Sequence, residues 1–224
     1  AGGLLAGMGV HPRVHMSGAA VVLLVVVLAS ARNLIEDHSH APIPPARIRI
    51  PARVAGLAAI AFAFFRAEGA RGVWTGVCLQ GSLGSGQGVA ALGYAAFSAL
   101  MVVGRMVGDG VIERLGRRRT LEVFSIVAAI GLAAAMAAPT VWLALAGFGL
   151  VGAGCSVIVP VCFAAAGRIP GLSKGVGMAA VTGSGYVGLL VGPPLVGFAA
   201  QAFTLKVALV LVAGMMAMGA VLAR

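Results

Sequence analysis

The sequence predicts an all-α, polytopic transmembrane helical bundle, and three observations predict it. Hydrophobic residues make up 60% of the 224 positions and charged residues only 10%, against roughly 45–50% and 25% in soluble domains. Apolar runs of about 20 residues, long enough to cross ~30 Å of hydrocarbon, recur along the chain. The basic residues fall in short segments between those runs. The 34 glycines suit close helix packing in lipid. A formal charge of +10 could suggest nucleic acid, but its confinement to loops reads as topology-setting charge, and no nucleic-acid partner is expected.

The elements follow in order. Residues 1–10, AGGLLAGMGV, are too short to span and read as the last turns of a helix. Residues 16–32 form the first full span. Residues 33–51, NLIEDHSHAPIPPARIRIP, are polar and proline-rich, a linker by composition. Residues 52–80 form a long segment interrupted by Arg66, Glu68 and Arg71. Further spans are expected at 88–108, 120–138, 141–166, 175–200 and 204–223, giving seven full spans plus the end of one more. The chain begins with Ala and shows no charged n-region or cleavage site. No signal peptide is therefore expected, and the start is expected to be a cut end.

Orientation follows from Lys and Arg placement. With the 33–51 linker inside, twelve of the sixteen basic residues lie at or near inner ends. Only Arg13 and Lys206 lie outside, and Arg66 and Arg71 lie within a span. The C-terminus is then cytoplasmic. A weak internal likeness between residues 2–28 and 197–221, each a Gly/Ala-rich helix end, a short basic turn and a Val/Leu/Met-rich span, suits the repeated halves of secondary transporters.

One stretch stands out. Residues 104–121 read GRMVGDGVIERLGRRRTL, and between Arg105 and Arg119 they carry seven charges: Arg105, Asp109, Glu113, Arg114, Arg117, Arg118 and Arg119. Positive-inside charge explains the arginines but neither the acids nor Gly116. The run Glu113-Arg114-Leu115-Gly116-Arg117-Arg118 resembles the signature cytoplasmic loop of major facilitator superfamily transporters. Glu113 stands where the short form of that loop has Asp, and Asp109 lies one helical turn earlier.

Other segments resemble the same family: residues 64–76 its helix 7, residues 151–171 its helix 10, and residues 183–200 its helix 11, with Gly188, Gly192, Pro193 and Gly197 in Gly-xxx-Gly-Pro-xx-Gly spacing. The combination looks closest to a bacterial YbjJ-like branch. Val73 and Ser156-Val157 stand where that branch often has Asp and Asn.

The resemblance implies a fragment of a twelve-helix fold. Residues 1–32 would close the N-terminal half as the end of helix 5 and helix 6. Residues 33–51 would be the cytoplasmic central linker, and 52–224 the C-terminal six-helix half. The rest of the N-terminal half would be a missing partner. It also implies a gating loop in which Gly104 and Gly108 permit close helix approach while Arg105, Asp109, Glu113, Arg114, Gly116, Arg117 and Arg118 form a charge-relay clasp between helices and between the two halves. That clasp's partner would be the inner end of helix 5. Its acids are therefore expected to pair only within the loop or with their own half.

The residues that could carry solute or proton chemistry cluster on one segment. Glu68 is the one acid read well inside a span, roughly 22 Å along a helix entered near residue 53. An intramembrane carboxylate costs about 2.5–3.5 kcal/mol unless paired or wet. Arg71 follows one turn later and Arg66 lies on another face. A Glu68–Arg71 pair that merely holds the helix and a cavity-lining proton or substrate site are both open. Trp74 is a packing residue, an interface anchor or a substrate stack. Tyr94 and Tyr186 each need a partner for a phenol in lipid. Pro160, Gly192, Pro193 and Pro194 read as helix bends.

Glu36-Asp37-His38-Ser39-His40 mixes metal-ligand types but lies in the polar linker and reads as solvated. No metal or cofactor is expected. Cys78, Cys155 and Cys162 sit in apolar runs without CxxC spacing and read as packing residues. No nucleophile–base set or nucleotide loop points to an enzyme. The expected function is proton-coupled secondary active transport of a small solute by alternating access across the bacterial inner membrane. The rival is a truncated or non-transporting membrane protein.

Overall fold

In the computed structural model, residues 11–31 and 51–223 are described. The expectations for residues 1–10 and for the linker as far as residue 50 lie outside them. Every regular element among the described residues is helical: α1 Pro12–Ala31, α2 Ala52–Leu83, α3 Gln87–Ala137, α4 Val141–Cys155, α5 Ile158–Ala166, α6 Lys174–Ala202 and α7 Leu205–Leu222. The chain divides into two units, residues 1–49 and 50–224. In the first, α1 is a 20-residue apolar helix.

Among the described residues five helical stretches are long and apolar enough to cross a membrane: Arg13–Ala31, Gly88–Ala137, Val141–Ala166, Lys174–Ala202 and Leu205–Leu222. The helix α2 is long enough at 32 residues, but Arg66, Glu68 and Arg71 interrupt its apolar run. The 51 residues of α3 hide a break at Gly116, whose φ of 75° and ψ of 158° are non-helical. That backbone region is open essentially to glycine alone. It divides α3 into a first limb, 87–115, and a second, 117–137. The Thr120 hydroxyl donates to the Gly116 carbonyl at 2.8 Å, an i, i−4 bond across the first turn after the break.

The segment 141–166 is likewise interrupted. Pro160 has no N–H to offer the Ser156 carbonyl, and its ring clashes with that carbonyl in a straight helix. The chain leaves the α-helix at Ser156 and Val157 and resumes at Ile158. A Ser156 hydroxyl bond to the Ala153 carbonyl at 2.6 Å satisfies part of the break. Pro193 and Pro194, by contrast, lie within a continuous α6.

In the 50–224 unit the helices meet backbone to backbone through glycines. A side chain at Gly188 would overlap the Phe62 carbonyl, one at Gly192 the Arg66 carbonyl, and one at Gly69 the Leu189 carbonyl. The seam between α6 and α2 is built from these contacts. Pro193 also deprives the Leu189 carbonyl of its helical donor, so that carbonyl is free to face Gly69. The glycines of α4 face two ways. Gly149 and Gly152 sit on Leu100 and Phe97 of the first limb of α3, and Gly147 and Gly154 on Ala135 and Ala128 of the second. Buried Phe64, Phe97, Phe148, Leu79 and Met216 fill the centre.

Candidate functional site

Three charges lie within six residues of α2. Arg66 and Arg71 are only 8% and 7% exposed, while Glu68 is half-buried. Helical spacing puts Glu68 and Arg71 on one face and Arg66 on the far side. The Arg66 guanidinium donates to the Met215 thioether of α7. The Arg71 guanidinium lies 3.4 Å from the centroid of the Phe97 ring and 4.9 Å from that of Tyr94, both on α3. A guanidinium over aromatic faces is held by the ring quadrupoles, an attraction that grows as water is removed.

Hydrogen bonding is nevertheless incomplete. Arg66 Nε and Arg71 Nε and Nη1 are buried without a partner. Among the described residues the only ion pair is Arg118 Nε to Glu122 Oε1, at 3.2 Å. Glu68 and Arg71 are therefore one turn apart but not bonded. This arrangement can present a carboxyl and a cation side by side to a visiting group, with aromatic rings fixing the cation.

Two of the remaining residues find partners. The Trp74 indole donates to the Pro193 carbonyl at 3.1 Å, and its ring lies over Gly197, which ties α2 to the proline pair of α6. Tyr186 is 55% exposed and its ring meets Phe65 with centroids 5.7 Å apart. Tyr94 is 56% exposed. Phe97 and Met215 carry no mark in the sequence that points to the site, beyond the spacing of Phe97, three residues after Tyr94 on the same face. Met215 belongs to a uniformly apolar helix and left no signal.

The charged stretch expected as a loop is helical within α3 except at Gly116, and there Gly104 and Gly108 do permit close approach; what approaches is the break between α4 and α5. A side chain at Gly104 would overlap the Ser156 hydroxyl, and one at Gly108 would come within 2.7 Å of Val157 Cγ1. Arg105, Asp109, Glu113 and Arg114 are exposed, and Arg117 is half-buried. Asp109 and Glu113 have no ion pair among the described residues. The pair that forms uses Arg118 with Glu122, an acid the sequence reading passed over although it lies at helical i, i+4 spacing.

Among the described residues no group of three His, Cys, Asp or Glu could hold a metal ion, and the Glu36–His40 segment lies outside them. Cys78, Cys155 and Cys162 are buried free thiols.

The sequence matches the profile of the Major Facilitator Superfamily over residues 55–224. It is 33% identical over 210 residues to an uncharacterised MFS-type transporter of Yersinia pestis, covering 93% of this chain and 55% of that protein. It is 40% identical over 124 residues to the membrane protein MosC of Rhizobium meliloti, covering 55% and 30%. It is 32% identical over 164 residues to an uncharacterised transporter of Sinorhizobium fredii, covering 73% and 44%. The chain thus spans about half the length, or less, of the curated relatives it matches. With its apolar helices and its charged, glycine-broken loop, the chain is an integral multi-pass membrane protein and belongs to the Major Facilitator Superfamily.

Proposed function

We propose that the chain is the C-terminal part of a secondary active transporter that moves a small solute by alternating access, coupled to protons through Glu68. The observation that carries this reading is the Arg66–Glu68–Arg71 cluster. Its two arginines are buried with unpartnered nitrogens, and its carboxylate has no ion pair among the described residues. Ionisable groups at membrane depth mark ion and substrate paths, because lipid would otherwise exclude them.

The crossings number seven in this reading: α1, α2, the two limbs of α3, α4 with α5, α6 and α7. The broken α4–α5 unit and the proline pair of α6 give the bundle its bending points, and Gly104 and Gly108 couple the first of these to the charged loop. The arginine-rich end faces the cytoplasm of a bacterial inner membrane, the C-terminus with it. The relatives' greater length supports an N-terminal half that closes the solute path and meets Asp109 and Glu113.

The test is a solute screen on the full-length protein in sealed vesicles with an imposed pH gradient. Uptake or export of at least one small solute, dissipated by a protonophore, is expected. Gradient-independent behaviour for every solute would favour a non-transporting membrane protein. So would a coding region with no continuous frame upstream to supply the other helices.

A further inference from the structure

A second feature lies away from the α2 charges, at the end of the 50–224 unit where α2 begins and α7 ends. A cleft of about 600 Å³ opens there, with Arg53, Arg117 and Arg168 among its lining residues. The three arginines come from three places in the chain: the first turn of α2, the start of the second limb of α3, and the turn after α5. The Gly116 break sets the start of that second limb and so the place of Arg117. Among the described residues no acid lines the cleft, and none of the three arginines has an ion pair. Below them the wall is apolar, formed by Leu57, Ile60 and Leu121.

We propose that this cleft binds the headgroup of an anionic phospholipid. A basic rim above an apolar wall fits an amphiphile. A free phosphate would satisfy the arginines and leave the wall wet, whereas an acyl chain alone would leave three like charges unneutralised. Arginine matches phosphate with parallel hydrogen bonds, and basic pockets between membrane helices recognise anionic headgroups by this chemistry. Such a lipid would brace α2, α3 and α7 together at one end of the bundle, at the foot of the helix that bears Glu68.

The experiment uses the purified, delipidated full-length protein in detergent, with bound lipid counted by native mass spectrometry. Phosphatidylglycerol, phosphatidylcholine with the same acyl chains, and glycerol phosphate are titrated in turn. One phosphatidylglycerol should be retained per chain, in preference to phosphatidylcholine. The variant R53Q/R168Q should weaken it about twenty-fivefold, since each basic residue near a surface contributes about fivefold. The variant R53K/R168K should keep most of the binding, which separates lost charge from lost folding. R119Q/K174Q, which removes equal charge outside the cleft, should change it less than twofold. Equal retention of phosphatidylcholine, equal loss in R119Q/K174Q, or competition by glycerol phosphate at equal concentration would each overturn the proposal. So would retention that appears only in E36Q/D37N, because the chain's own acids would then be the occupant.

Discussion

Arg71 is held by what surrounds it more than by what it bonds. Its guanidinium rests on Phe97 and reaches toward Tyr94, while Nε and Nη1 remain unpartnered. Replacing Phe97 by Leu removes the stacking face and part of the buried ring. It should destabilise the folded protein by about 1–3 kcal/mol, read as a lower unfolding temperature in detergent; an unchanged temperature would show that the stack carries no stability. Glycine 116 makes a second residue-scale case. Ala in its place must adopt φ 75°, ψ 158° or move the break, at a cost of about 1–3 kcal/mol. The same melting measurement checks it, and a Gly116→Ala variant as stable as the parent would mean the break is not fixed there.

The helices meet through missing side chains. On α6, Gly188 and Gly192 touch the α2 backbone, whereas a side chain at Gly183 would meet nothing within 4 Å. Gly192→Val should therefore cost about 1–3 kcal/mol or more by forcing the two helices apart. Gly183→Ala should be neutral or slightly stabilising through its higher helix propensity. Limited proteolysis of the two variants checks this pair, and equal protection in both would contradict the seam.

Much at this scale was legible in the sequence. Hydropathy and length place most helix ends within a few residues, since a lipid-spanning helix must satisfy its own backbone and carry apolar side chains. The expected end at 108, however, falls short of the first limb of α3, which stays helical through the charged residues as far as 115. The Gly188, Gly192 and Gly197 spacing was visible as well. It was read for its bends, whereas two of these glycines mark backbone contact and Gly197 lies under the Trp74 ring. The interruption at Ser156–Val157 was less legible, because nothing apolar changes there. Only Pro160, four residues on, marks it. The partners of the α2 charges were the least legible, because Phe97, Met215 and Pro193 lie on other helices with no local pattern to announce them.

At the scale of the whole molecule, a family fold with buried cations on one helix is joined to a broken helix that rests on a charged loop. The transport reading requires these parts to act together. In that reading Glu68 would take and release a proton, the α4–α5 break and the α6 prolines would let the bundle flex, and Asp109 and Glu113 would meet the proposed N-terminal half. In intact protein, Asp109→Asn with Glu113→Gln should weaken one access state and lower gradient-driven flux about tenfold with little change in folded yield. A flux equal to that of the parent would reduce the loop to topology-setting charge.

The central claim is that Glu68 couples solute movement to protons. It is tested most directly by comparing full-length protein with its Glu68→Gln variant in sealed vesicles, following the internal pH while the transported solute is added. Glutamine keeps the size and hydrogen bonding of the side chain but cannot ionise. The account predicts that the variant is inserted and folded as the parent is, yet neither accumulates solute under a pH gradient nor moves protons when solute is added. Wild-type accumulation and wild-type proton flux in the variant would contradict it.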